Sequence, residues 1–560
     1  MAATVPALAQ IRVGQGTDGW VVLGQGIDLV GTLWTYEHVD RMLTGQAGTL
    51  REDVFVPQGL DLGVAQGLAW LDAVMAWPLL RLLGVPGFYN PWILTLLALD
   101  HLAITLLLRR LRAPWGVALG LSACVVLSPF VARELFEGRP TQVHLIFHAA
   151  FLASVAALLQ GHRQPLRVGA LGGLALTAAC LVYWFGAMGV GLLGAAVWAT
   201  GLLLGPPSAE EQGPAPALRQ GQGRSEALRG GLALAATTSL TALAVSWPVL
   251  QALSARAQAL PVASARDALP LFATFERAGI PLSLVLGAGL LLVLGAAQGR
   301  ARESLPWLVG TLLLGALPLG AWVEVRGVDL PGPLALLHHV MPWFRRLQSP
   351  ERLAVVPLLG LVCLAAPAAG ALATSTRRTR LLGALALVMA VGTWSELRGR
   401  DRKWQPRVST DLLVEAPFYR ELAARWPGGI IDVPLLSSND AYAYQLVHGL
   451  PVLGGPGISG PHTRPAAHVE WVEANSFLQA LEVVAGGEEA PAFRSEDRRA
   501  VYAAGFRTVV VHLDDQDEAL VSRLMPMLGP PLLVGSDRVV MPLVPAGRPG
   551  VRPGRTRGPR

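Results

Sequence analysis

The sequence predicts a polytopic α-helical membrane protein carrying a C-terminal α/β domain, and three observations lead there. Hydrophobic residues make up 52% of the 560-residue chain and charged residues only 15%, whereas an average soluble domain is about 25% charged. The mean hydropathy is +0.45. The apolar residues are gathered into runs close to the roughly 20 residues that cross a bilayer, and after Glu396 the composition turns into that of a soluble domain.

Ten spans are expected, at about 91–108, 114–131, 142–160, 168–184, 186–205, 230–250, 279–298, 305–323, 353–372 and 380–396. Val168 to Ala209 holds no charge and is long enough for two helices, with Tyr183-Trp184-Phe185 as an aromatic hairpin tip at the interface. The segment LAWLDAVMAWPLLRLLG (68–84) spaces Leu68, Leu71, Met75, Leu79 and Leu82 at three and four, but Asp72, Pro78 and Arg81 interrupt it. That pattern favours a helix lying in the interface; if it crossed instead, the spans would number eleven.

Arginines set the orientation. Arg109, Arg110 and Arg112, then Arg163 and Arg167, Arg219, Arg224 and Arg229, Arg300 and Arg302, and Arg377, Arg378 and Arg380 crowd alternate short loops. The positive-inside rule makes these cytoplasmic. Residues 1–90 then form a first extracytoplasmic loop, 91–397 the helical domain and 398–545 an extracytoplasmic α/β domain, before a disordered basic tail at 546–560. MAATVPALAQ lacks a basic start and a long apolar core, so either a first helix is missing upstream or 68–84 crosses and Asp28 is cytoplasmic.

The same reading removes other classes. The net charge of +6 and a pI near 9.6 suit a nucleic-acid partner in principle, but topology accounts for the arginines and no such partner is expected. Cys124, Cys180 and Cys363 all lie in apolar runs, which argues against a disulfide framework or a Cys-ligated metal. In the C-terminal part, strands at 429–434, 507–513, 531–535 and 538–543 alternate with helices near 411–425, 438–447, 466–484, 495–504 and 515–527, the order of a small α/β domain.

Candidate chemistry gathers at the outward loops. Asp28 precedes Trp34 and Tyr36, and it suits either a general base or the N-cap of a helix starting near Leu29. Glu134 and Glu137 flank Arg139 in the 132–141 loop, where the acids could equally be solvated partners of Arg133 and Arg139. Arg345, Arg346 and Arg352 stand on the side where positive residues are normally sparse, which points to anion binding or to snorkelling. Asp100 and His101 fall inside a span, and His144 and His148 share one helix face. Tyr442, Tyr444 and His448 near LGGPGISG (453–460) could contact carbohydrate or simply pack.

Asp28, Leu33-Trp34, Pro57-Gln58-Gly59-Leu60-Asp61-Leu62, Leu83-Gly84-Val85-Pro86 and Tyr89-Asn90-Pro91 together resemble the first external loop of the GT-C superfamily, membrane glycosyltransferases that use polyprenyl-phosphate sugars. SPFVARELFEGRPTQ (128–142), MPWFRRLQSPERLAVVPLLG (341–360) and YQLVHGLPVLGG (444–455) resemble later segments of the same group. The resemblance implies a GT-C-like fold in a bacterial inner membrane, with Asp28 as base or metal contact and Glu134 and Glu137 as helpers. Arg139, Arg345, Arg346 and Arg352, with Trp34 and Tyr36, would bind substrate. It further implies a polyprenyl-phosphate-linked sugar, a glycan, lipid or protein acceptor, membrane lipid as surroundings, and a divalent Mg or Mn ion as the one cofactor to consider. A transporter or an inactive scaffold of envelope glycan assembly is the alternative.

Overall fold

The computed structural model describes residues 20–24, 28–61, 70–85, 87–204, 225–241, 269–270, 276–298, 301–347, 349–400, 408–412, 416–435, 440–454, 464–513, 518–535 and 537–543. The expected tail at 546–560 lies outside them. The chain divides into two compact units, one containing residues 22–29 and 66–408, the other 30–65 and 409 onward.

The first unit is helical. Six helices among the described residues are long and apolar enough to cross a membrane: Tyr89–Arg110, Trp115–Phe136, Pro140–Leu159, Pro165–Leu204, Pro350–Leu372 and Thr376–Gly399. This is a multi-pass membrane protein. The 40-residue stretch Pro165–Leu204 is two helices, because Tyr183 leaves the helical region with φ −156° and ψ 99°. A side chain at Gly191 would touch Leu176 across the turn at 3.3 Å, so the halves pack as the hairpin expected from the sequence.

The expected spans at 279–298 and 305–323 are shorter. Leu282–Ala297 is a helix, but the helix from Leu305 stops at Leu314. Pro318, which has no N–H to donate, sits in the short 3-10 turn Leu317–Leu319, and Trp322–Val325 then forms a strand. That strand pairs antiparallel with Val328–Pro331 through a two-residue turn, Arg326-Gly327, with both residues at positive φ, the geometry that matches strand twist. Of the expected span at 230–250, helical residues 225–241 are described. The 68–84 segment is a 13-residue helix, Leu71–Leu83, which buries Asp72, Ala73, Ala76 and Leu80 along one face.

The second unit is built on a four-stranded sheet in the order Leu533–Val534, Arg538–Pro542, Phe506–His512, Gly429–Val433, of which only the last pair is parallel. A parallel pair needs a long crossover, and helices Ala466–Ala474, Ser476–Ala485 and Ser495–Ala503 supply it. Ile431, Val433, Val509, Val511 and Met541 bury against Phe477, Leu481 and Leu524.

Candidate functional site

The loop that closes the Trp115–Phe136 helix is built by local rules. Ser128 caps the segment Pro129–Phe136, its Oγ accepting from the Val131 N–H at 3.3 Å, and Pro129 occupies the first turn, where its missing N–H does no harm. The helix end is then reversed by Gly138 at φ +78°. A Cβ on Gly138 would overlap the backbone of Leu29, so glycine is what lets this loop lie against the start of the Leu29–Leu43 helix. Gly24, at φ +109°, is also close-packed: a Cβ there would stand 2.8 Å from the Leu135 carbonyl oxygen. Just before it, the Leu23 N–H donates to Asn90 Oδ1 at 2.8 Å.

These approaches bring Asp28 to Arg139. Arg139 Nε donates to Asp28 Oδ2, Arg139 Nη1 lies 3.4 Å from Glu134 Oε2, and Nη2 lies 3.8 Å from Glu137 Oε2. Glu134 has no exposed surface, and its Oε1 accepts from Arg133 Nε at 2.7 Å. Arg133 reaches on to the carbonyl of Arg277. Burial works against the Arg139 charge, but Asp28 and Glu134 outweigh it, so its pKa lies above the ordinary value. The result is a fixed chain, Asp28–Arg139–Glu134–Arg133, whose outer member keeps a side chain 45% exposed.

Two further residues close on this chain. Tyr183, at the hairpin break, has its buried hydroxyl beside Arg352 and within the field of Glu134 and Arg139. Arg352 stands on the turn Pro350–Ala354, and its Nε is buried with no hydrogen-bond partner among the described residues. The turn is packed on the hairpin, since a side chain at Gly189 would meet Leu353 at 3.4 Å. The structure therefore offers a partly exposed carboxylate and, across the same end of the helical unit, a guanidinium with donor capacity left.

Asp28, Glu134, Glu137 and Arg139 come together, but Glu134 is clamped by two arginines and presents nothing to a substrate. Arg139, expected on phosphate, is held by carboxylates instead. Arg345 donates from Nε to the His338 carbonyl at 3.1 Å, and the side chain of Arg346 lies outside the described residues. Trp34 and Tyr36, expected to bind substrate, belong to the second unit and are 0% and 2% exposed. The Trp34 ring stacks on His38 and lies 4.3 Å from the Arg51 guanidinium, while its Nε1 donates to Gln445 at 2.7 Å, so it is part of a packed core.

Tyr444 is likewise covered, by Tyr419 at 4.1 Å and Arg538 at 4.4 Å; the side chain of Tyr442 lies outside the described residues. Asp100 accepts from the Leu145 N–H at 2.7 Å, His101 Nδ1 meets Ser122 Oγ at 2.8 Å, and His144 Nδ1 lies 3.3 Å from Asp72 Oδ1, all contacts that join helices. Gly138 and Tyr183 join the site without having been expected there: the sequence signals are a lone glycine between Glu137 and Arg139, and the place of Tyr183 in the aromatic hairpin tip. Among the described residues no group of three or more His, Cys, Asp or Glu could hold a metal ion, and the carboxylates that meet here are engaged by arginines. They do not fit a divalent ion.

No family model and no curated protein matches the chain. Solved structures do. Arabinofuranosyltransferase AftD from Mycobacteria superposes with a TM-score of 0.54 at 16% identity, over 97% of this chain and 39% of that one. The fold is of the GT-C type. The chain spans 39% of the length of AftD. Two further GT-C structures align more loosely. ArnT from Cupriavidus metallidurans, bound to undecaprenyl phosphate, gives a TM-score of 0.47 at 12% identity, covering 97% of this chain and 98% of its own. The Archaeoglobus fulgidus oligosaccharyltransferase gives 0.46 at 11% identity, covering 94% and 69%.

Proposed function

We propose that this protein is a membrane glycosyltransferase that moves a sugar from a polyprenyl-phosphate donor to a glycan, lipid or protein acceptor at the outer face of a bacterial inner membrane. The observation that supports the reading most is the pairing of Asp28 with Arg139 at the same end of the helical unit as Arg352. Asp28 is the base: it takes the proton from the acceptor hydroxyl as that oxygen attacks the anomeric carbon. The bond between the anomeric carbon and the phosphate oxygen breaks, and its electron pair leaves on the lipid phosphate. Arg352 receives the developing charge, where a fixed guanidinium in a site shielded from water acts without reorganising. Arg139, Glu134 and Arg133 are positioning residues that hold Asp28, Tyr183 orients Arg352, and Arg345 and Arg346 belong to the outer approach.

The proposal includes the orientation read from the arginines, with the Asp28 end and the C-terminal unit extracytoplasmic. The two halves of Pro165–Leu204 cross separately, and residues 225–241, Leu282–Ala297 and the Leu305–Leu319 stretch contribute further crossings, for about ten.

Asp28→Asn in proteoliposomes is the test, with release of polyprenyl phosphate from labelled donor as the readout. Loss of a positioned base costs about 10²–10⁴-fold in turnover, with the protein still folded because the Arg139 contact survives through the amide oxygen. Turnover equal to the unaltered protein would remove Asp28 from the reaction.

A further inference from the structure

At the end of the helical unit away from Asp28, two short loops are tied around a cavity. The Trp115–Phe136 helix runs from the 111–114 loop to the Gly138 turn, and Pro140–Leu159 runs back, so the 111–114 and 160–164 loops share one end. The cavity, of about 550 Å³, is lined by Arg110, Arg112, Gln160, His162, Arg163 and Gln164. Gln160 Nε2 donates to the Arg110 carbonyl at 3.2 Å and joins the loops. Arg112 and Gly161 both stand at φ +70°, the backbone reversals that fold each loop back.

The lining offers donors and no acid. His162 Nδ1 accepts from the Gln164 N–H at 3.2 Å, which leaves Nε2 to carry the proton. Arg112 is paired with Glu303 at 2.7 Å, and Arg109 turns away over Trp115. Among the described residues neither Arg110 nor Arg163 has an ion-pair partner. Topology accounts for arginines near this surface. It does not require them to converge from two tethered loops on one concave space.

Forked guanidiniums around an N–H donor suit tetrahedral oxyanions. We infer that this cavity binds the phosphate of an anionic ester, remote from the transfer site. Its place at the helix ends makes a phospholipid headgroup of that leaflet the nearest source; a soluble phosphate ester is the other carrier of the same chemistry.

The experiment uses the full chain in detergent, incubated with phosphatidylglycerol and phosphatidylcholine together, and counts retained lipids by native mass spectrometry. The unaltered protein retains the anionic lipid in preference. The Arg110→Gln/Arg163→Gln variant loses that preference by about fivefold per arginine removed. Both side chains are exposed, so folding is preserved, and Arg163→Lys, which keeps the charge but not the fork, falls between.

Arg377→Gln serves as the control. Its helix runs alongside Trp115–Phe136 in the same direction, Gly116 facing Gly383 and Gly120 facing Ala386, so Arg377 shares this end but lies outside the cavity lining. Retention in that variant stays unchanged. A rise in melting temperature in detergent with millimolar inorganic phosphate that disappears in the double variant, without a lipid preference, identifies the soluble source. No loss in the double variant, or an equal loss in Arg377→Gln, overturns the site.

Discussion

A carboxylate with no exposed surface depends on its partners to compensate the lost hydration, and Glu134 has two, Arg133 and Arg139. Arg133→Met leaves that charge buried and half-compensated, which destabilises by about 3–5 kcal/mol. Glu137→Gln acts on a pair 3.8 Å apart with the acid 30% exposed, and such a pair contributes about 1 kcal/mol or less. Thermal melting in detergent should rank them in that order, and Glu134→Gln added to Arg133→Met should recover much of the loss. Near-equal melting points would show that the Arg133–Glu134 pair contributes little to the fold. The acids and Arg139 were legible in the sequence as charged types in loops at the ends of apolar runs. Their roles were not, because exposure decides between a base and a structural ion, and residue spacing carries no exposure. Trp34 makes the same point: an aromatic residue near an acid reads as a substrate platform until His38 and Arg51 are seen packed against its ring.

Elements were legible where composition alone defines them. An uncharged stretch twice the length of a span has to fold back, and it does so at the aromatic residues expected to turn it. The stretch from 305 to 323 is apolar enough to mislead, because hydropathy does not register the proline and glycines that end the helix at Leu314. Gly138 decides the site at this scale. Gly84, at φ +67° and ψ 172°, has open space where a Cβ would stand, so Gly84→Ala meets only the cost of that glycine-favouring backbone, about 1–3 kcal/mol. Gly138→Ala adds an overlap with Leu29 and should part Asp28 from Arg139. We expect Gly138→Ala to lower the melting point further than Gly84→Ala and to depress transfer about as far as Asp28→Asn. Full transfer by Gly138→Ala would mean that the loop need not touch Leu29.

Across the whole molecule, the assembly of the second unit could not be read from local pattern. Residues 30–65 join it through the Phe55 N–H to the Gly454 carbonyl at 2.8 Å and the Val452 N–H to the Asp53 carbonyl at 2.9 Å, pairings of segments far apart in the chain. The unit has an acid weakness. Burial lowers His38 to about 4, with Arg51 and Arg41 adding to it, and burial lowers His448 and His468 to about 4 as well. Folded values below the ordinary 6.5 mean that the unfolded chain binds protons first, so this stability is complete above about pH 6.5 and drains away as pH falls towards 4. The loss is on the order of 2 kcal/mol per histidine at pH 5. Hydrogen exchange should show the sheet opening more at pH 5 than at pH 7.5 after correction for intrinsic rates, and His448→Asn/His468→Asn should flatten the difference. The first unit sets the other large-scale expectation, because the Gly138 turn and the 160–164 loop stand at opposite ends of its helices. The three native cysteines are buried or half-buried in apolar helices and should label poorly. A single introduced cysteine at Glu137 should therefore react with an impermeant maleimide on intact cells, whereas one at Gln164 should react only after the membrane is opened. The reverse pattern would place Asp28 on the cytoplasmic side, where an acceptor on the outer face could not reach it.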